Sequence, residues 1–142
     1  MNPLNTDVLI IGSGLAGATA AISAAEEGKH VTIITKTKSL KSGNTPYAQG
    51  GIVYKGINDS PEKLKKDIIR AGHNDSWEAA VDQLCNDGPK LVKKILIDKL
   101  NINFTQMNDK TDYELTSEAA HSEQRILYCK DTTGESIQTK IL

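Results

Sequence analysis

The chain has 142 residues, 38% of them hydrophobic and 25% charged, enough for one domain that buries roughly two-thirds of its unfolded surface. Its 17 basic and 18 acidic residues leave a net charge of −1, with no like-charged run longer than two. That excludes an electrostatic surface for nucleic acid or an anionic membrane. No apolar run approaches the ~20 residues of a bilayer span, and the first apolar segment runs straight into glycines, unlike a signal peptide. Cys85 and Cys129 stand far apart and read as free thiols of a reducing cytoplasm.

Val8 to Ile11 is a continuous apolar run, the pattern of a parallel strand covered on both faces. Gly12-Ser13-Gly14-Leu15-Ala16-Gly17 follows at once and matches G-x-G-x-x-G between a strand and a helix. In that setting Gly12 permits the tight turn, Gly14 lets the backbone approach a pyrophosphate, and Gly17 lets helix and strand pack closely. The N–H groups that open the helix then face the phosphates. An alanine-rich helix is predicted through Ala25, with Gly28 suited to its left-handed end. Val31 to Thr35 reads as a β-branched second strand. The unit is that of a dinucleotide site. Lys36 follows where an acid would meet a ribose 2′-OH and a cation a 2′-phosphate. On that residue alone, a 2′-phosphate preference and a solvated strand end both stay open.

The stretch Lys41 to Tyr54 is a glycine-rich loop of specific texture. Beyond it, Ser60 and Pro61 start a helix that carries Leu64, Ile68 and Ile69 and ends at Gly72. Asp75 to Glu78 reads as a capping-box-like start to a second helix, with Trp77 as a packing residue. Gly88-Pro89 is expected to break the chain before a third helix lined by Leu91, Val92, Ile95 and Leu96. Asn101 to Phe104 is expected to be extended, the lysines of this region to be solvated, and His73 to be exposed. Glu118, His121, Ser122, Glu123 and Arg125 then cluster in what reads, from the residues alone, as a polar loop. Ile126 to Tyr128 follows as a strand, and Asp131 to Gly134 as a turn into a last helix.

The GSGLAG turn, the Thr35-Lys36 strand end and the loop ending Ala48-Gln49-Gly50-Gly51-Ile52 resemble the flavoproteins of succinate dehydrogenase and fumarate reductase. Within them, Tyr47 before Ala48 is the version of the L-aspartate oxidases. The resemblance runs from about Asp7 to Leu142 and implies an α/β fold: a Rossmann-like FAD-binding domain, a parallel sheet with flanking helices, truncated here. Its parts would be a βαβ unit plus flavin loop over 1–54, a helical segment over 60–100, and a substrate loop, strand and helix start over 101–142. It implies FAD along Gly12, Ser13, Gly14, Leu15, Ala16 and Gly17, with Lys36 a flavin-site residue and not a selector of NADP. The loop residues Asn44, Thr45, Pro46, Tyr47, Ala48, Gln49, Gly50 and Gly51 would complete the cofactor site. Succinate dehydrogenase-like members carry a histidine here that bonds covalently to the flavin. Asn44 stands at that position, so the FAD is expected to be non-covalent. Pro46 replaces a usual aromatic and removes one N–H donor.

Thr116-Ser117-Glu118-Ala119-Ala120-His121-Ser122, Arg125-Ile126-Leu127 and Asp131-Thr132-Thr133-Gly134 match further motifs of the L-aspartate oxidases. By that resemblance Glu118 orients the amino group of L-aspartate through a charge-assisted hydrogen bond, and His121 and Ser122 line the pocket. Ala119 and Ala120 stand where the family has two glycines, so two added Cβ atoms would obstruct any positive φ or close approach. The implied reaction is FAD-dependent oxidation of L-aspartate to iminoaspartate, with oxygen or fumarate as electron acceptor and quinolinate synthase downstream, toward NAD. No metal, nucleic acid or membrane enters it. The family's main catalytic arginine lies beyond these residues, so no catalytic residue is assigned. Two alternatives remain: a fumarate reductase or succinate dehydrogenase-type flavoprotein, against which Asn44 and Glu118 speak, and an inactive fragment that binds FAD weakly or not at all.

Overall fold

A computed structural model describes residues 4–39, 42–109 and 111–142, so Lys41 of the glycine-rich loop lies outside the described residues. Strand β1 (Val8–Ile11) pairs in parallel with β2 (Val31–Ile34), Val8 opposite Val31 and Ile11 opposite Ile34. Helix α1 (Leu15–Glu26) connects them and ends at Gly28, whose φ of 74° only glycine adopts without strain. The Gly12 N–H donates to the Ile34 carbonyl at 2.8 Å, so the ladder runs on into the glycine turn.

Both-face coverage of β1 is not what the structure shows. Helix α1 covers the face of Val8 and Ile10, while Leu9 is 54% and Ile11 81% exposed. Among the described residues the sheet has two strands and one helix, so one apolar face has nothing packed against it.

Helix α2 (Pro61–Ala71) begins as expected, with Ser60 Oγ accepting the Lys63 N–H at 3.3 Å. Helix α3 (Glu78–Leu91) corrects the expected break, because it runs through Gly88 and Pro89. Pro89 has no N–H for the turn before it. The winding then widens directly into a π-helical segment, Val92–Lys99, where the Leu100 N–H reaches the Ile95 carbonyl at 3.0 Å. Trp77 is a second correction. It sits at the N-cap of α3 in extended backbone and is 80% exposed, while Val81 and Cys85 make the contact with Leu64 of α2.

Strand β3 (Ile52–Val53) pairs antiparallel with β4 (Ile126–Leu127), extended by the Tyr54 N–H to the Arg125 carbonyl at 2.7 Å. The strand expected at Ile126 to Tyr128 is thus present as β4, whereas β3 and the pairing were not predicted, since two residues within a glycine-rich loop are too few to show a period. Asn101 to Phe104 forms no strand either: Asn101 has a φ of 48°, and Thr105 makes a single bond to the Tyr128 carbonyl. Helix α4 (Thr133–Ile141) closes the described chain. The main core gathers Val92, Ile95 and Leu96 with Ile102, Phe104, Leu127, Cys129 and Ile137. It lies under β4 and α4, with Leu15 of α1 packed at its margin.

Candidate functional site

Two loops far apart in sequence meet at one threonine. Thr45 opens a short 3₁₀ turn, Thr45–Tyr47, and its Oγ1 accepts the Leu15 N–H at 3.1 Å. It thereby caps α1, which has no side-chain cap of its own. A Cβ on Gly14 would lie 3.2 Å from the same oxygen, so the loop sits close on the glycine turn. Pro46 suits this geometry. The turn is closed by the N–H groups of Tyr47 and Ala48, and the proline sits at the start, where its missing donor is not needed.

Helix α4 fastens both loops. The Gly134 N–H donates to the Ala48 carbonyl at 2.8 Å, and a Cβ there would lie 1.9 Å from the Thr45 carbonyl oxygen. Four residues on, the buried Gln138 donates from Nε2 to the Ser13 carbonyl at 2.7 Å. Thr133, also buried, accepts the Cys129 N–H on its hydroxyl. These three residues were missed as site elements. Their only signal was Asp131-x-Thr133-Gly134, read as a turn.

The glycine turn fits a bound diphosphate. Gly12 has a φ of 112°, a Cβ on Gly17 would sit 2.2 Å from the Gly12 carbonyl oxygen, and the first turn of α1 holds no acid. An anion there meets the positive end of the helix without a competing carboxylate. Ser13 is buried and Ala16 exposed. Lys36 is exposed just past β2, where Thr37 and Ser42 join through their hydroxyls and bring the strand end to the start of the loop. Asn44, Ala48, Gln49, Gly50 and Gly51 are exposed, as is Tyr47.

Glu118 meets this loop. A Cβ on Gly50 would lie 2.4 Å from Glu118 Oε1, so the carboxylate rests on the Gly50 backbone. Beside it opens a cleft of about 410 Å³ lined by Gln49, Gly50, Thr116, Tyr128, Lys130 and Asp131. The structure thus joins the expected cofactor loop and the expected substrate-orienting carboxylate.

The segment that carries Glu118 is tied down along its length. Its ends close where the Ile126 N–H donates to the Thr116 carbonyl at 2.9 Å and the Thr116 N–H to the Ile126 carbonyl at 3.1 Å. Ser122 donates from both its N–H and its hydroxyl to Asp67 Oδ2, each at 2.8 Å, so that hydroxyl is committed to α2. The His121 N–H closes a turn onto the Glu118 carbonyl at 2.9 Å, and His121 Nδ1 is buried with no partner among the described residues. Neither Ala119 nor Ala120 has a positive φ, so the two Cβ atoms introduce no backbone strain.

Arg125 is fully buried beneath this segment. It grips Asp59 bidentately at 2.7 and 2.8 Å and donates from Nη1 to Asp67 Oδ2 at 2.6 Å. Burial works against the Asp67 charge, but the hydrogen bonds from Arg125 and Ser122 outweigh it and lower its pKa to about 2. Asp59 is likewise shifted down: burial opposes, and the Arg125 bonds prevail. A carboxyl whose folded pKa lies below its unfolded value stabilises fully above the unfolded value and loses that contribution as pH falls through the folded one. The stability gap between the wild type and an Asp67→Asn variant should therefore shrink as pH drops from 4 toward 2. Urea unfolding across that range checks this, and a gap constant with pH would contradict it.

The FAD binding domain family matches residues 7–140, which take in the glycine turn, the loop and the Glu118 segment. The chain belongs to that family. Among relatives of this FAD-binding domain, the L-aspartate oxidase of Halobacterium salinarum is 41% identical over 132 residues, 93% of this chain and 25% of that protein. The L-aspartate oxidase of Synechocystis sp. is 34% identical over 137 residues, 96% of this chain and 24% of the relative. The chain therefore spans about a quarter of the length of the curated relatives it matches. Quinol fumarate reductase of E. coli superposes with a TM-score of 0.88 at 22% identity, over 99% of this chain and 24% of that one. A flavocytochrome c3 fumarate reductase in its open conformation superposes at 0.81 and 20%, over 96% and 24%. These likenesses show the fold alone. FAD is the family's cofactor. Among the described residues no helix is long and apolar enough to cross a membrane, and no cluster of three metal-ligating side chains occurs.

Proposed function

We propose that this chain is the FAD-binding part of an L-aspartate oxidase that converts L-aspartate to iminoaspartate, with oxygen or fumarate as the final acceptor. The observation that carries the reading is the Glu118 carboxylate resting on Gly50, at the meeting of the loop and the polar segment. A carboxylate in that place receives a charge-assisted hydrogen bond from a substrate ammonium and distinguishes an amino acid from succinate, which has no amine. When bound, FAD supplies a two-electron acceptor. The chain's own part is to hold the diphosphate on the α1 N-terminus, lay Asn44 to Gly51 along the cofactor, and orient the amine. The parallel β1–α1–β2 unit supports a Rossmann-like reading of the domain. Asn44 offers no nucleophilic nitrogen, so the flavin is held without a covalent bond. The buried free thiols of Cys85 and Cys129 support a cytoplasmic setting.

The test is to mix the protein with FAD, desalt it, and record the spectrum near about 450 nm. L-Aspartate is then titrated calorimetrically into the loaded wild type and a Glu118→Gln variant. Retained flavin that acid releases, with weaker L-aspartate binding in the variant, is the expected result. A folded protein that keeps no flavin, or a variant that binds as the wild type does, would overturn the reading.

A further inference from the structure

Lys63, Asp67 and Arg70 are spaced four and three residues apart and so share one face of α2. Each holds a different point of the Glu118 segment. Arg70 donates to the Ala120 carbonyl at 2.8 Å, Asp67 takes both donors of Ser122, and Lys63 pairs with Glu123 at 2.5 Å. Two of the three are coupled, since Arg70 also donates to Asp67 Oδ1 at 3.0 Å. Arg125, anchored on Asp59, fixes Asp67 from beneath. The contacts at Ala120, Ser122 and Glu123 all lie on the C-terminal side of Glu118, and the Thr116–Ile126 bridge holds the other end. Between these supports the Glu118 carboxylate is set against Gly50.

We propose that this face of α2 is the positioning element of the amine-recognition site, with Arg70 and Asp67 its positioning residues. The inference rests on the reading of Glu118 given above. None of the three touches the cleft. They act by presenting Glu118 in one place, so their loss falls on ligands that carry an amine and spares those that do not. A general loss of order would weaken both kinds alike.

Arg70 is an exposed side chain whose removal takes one donor from Asp67 but keeps the bonds of Arg125 and Ser122 to it, so Arg70→Ala is the first variant. Asp67→Asn is the second and removes the charge that Ser122 and Arg125 share. Calorimetry on the FAD-loaded protein gives the affinity for L-aspartate and for succinate, and amide hydrogen exchange reports on residues 117–123 independently of the flavin. Arg70→Ala is expected to weaken L-aspartate about tenfold, the weight of one charge-assisted hydrogen bond, to leave succinate and flavin retention unchanged, and to speed exchange across 117–123. Arg70→Lys, which keeps a donor, should recover part of the affinity. Equal losses for both ligands, or wild-type L-aspartate affinity in Arg70→Ala, would overturn the proposal. If Glu118→Gln weakens L-aspartate and Arg70→Ala does not, only the positioning role falls. If Glu118→Gln binds as the wild type, the reading of the site falls and this inference with it.

Discussion

Replacing Arg125 by methionine is expected to lower the unfolding free energy by about 3–5 kcal/mol, the usual loss when one partner leaves a buried ion cluster. Arg125 has no exposed side-chain surface, and Asp59 and Asp67 are each only 4% exposed. Methionine fills much of the volume but leaves two carboxylates without their principal donor, so desolvation dominates the outcome. The urea midpoint should fall sharply with an unchanged slope. The triple variant Asp59→Asn, Asp67→Asn, Arg125→Met removes the stranded charges and should recover part of the loss. A midpoint for the single variant within error of the wild type would show that the cluster contributes no net stability.

The second large effect is expected at Gly134. An alanine there would place Cβ 1.9 Å from the Thr45 carbonyl oxygen and 2.8 Å from that of Ala48, both backbone atoms with little room to yield. The α4 N-terminus must then move off the 3₁₀ turn, and the Gly134 to Ala48 hydrogen bond breaks with it. Gly134→Ala is expected to lose flavin retention and to destabilise by more than about 2 kcal/mol, in the range of overpacked positions. Gly88 is the internal control. It lies inside α3, where an added Cβ meets only Leu84 Cδ1 at 3.6 Å. Gly88→Ala should therefore be neutral or stabilise by about 0.5–1 kcal/mol through helix propensity. Unaltered flavin retention in Gly134→Ala would mean that α4 does not hold the loop.

The parts of this fold that were legible in the sequence are those with local causes. The apolar run, the three glycines, the alanine-rich helix and Gly28 sit within one short stretch, and each constrains its neighbours. The start of α2 was equally plain, because a serine cap and a proline act on adjacent residues. What stayed hidden depends on distant partners. Lysines of α2 read as solvated and Lys63 is indeed exposed, but nothing local marks it as the partner of Glu123, sixty residues away. Nothing local marks Asp67 as the anchor of Ser122, or Gln138 as a ligand of the glycine turn. Trp77 was misplaced because a large aromatic usually packs, whereas its position before the first turn of α3 points it outward. The expected break at Gly88-Pro89 failed because Pro89 falls within the last turn of α3 and the chain continues from there into the π-helical stretch.

The bond from Gln138 to the Ser13 carbonyl spans 125 residues of sequence. Closing so long a loop is entropically unfavourable until much of the intervening chain is already ordered. The phosphate-facing turn is thus among the last pieces to be locked. A ligand that met only the locked form would therefore stabilise the fold by mass action, in step with its free concentration.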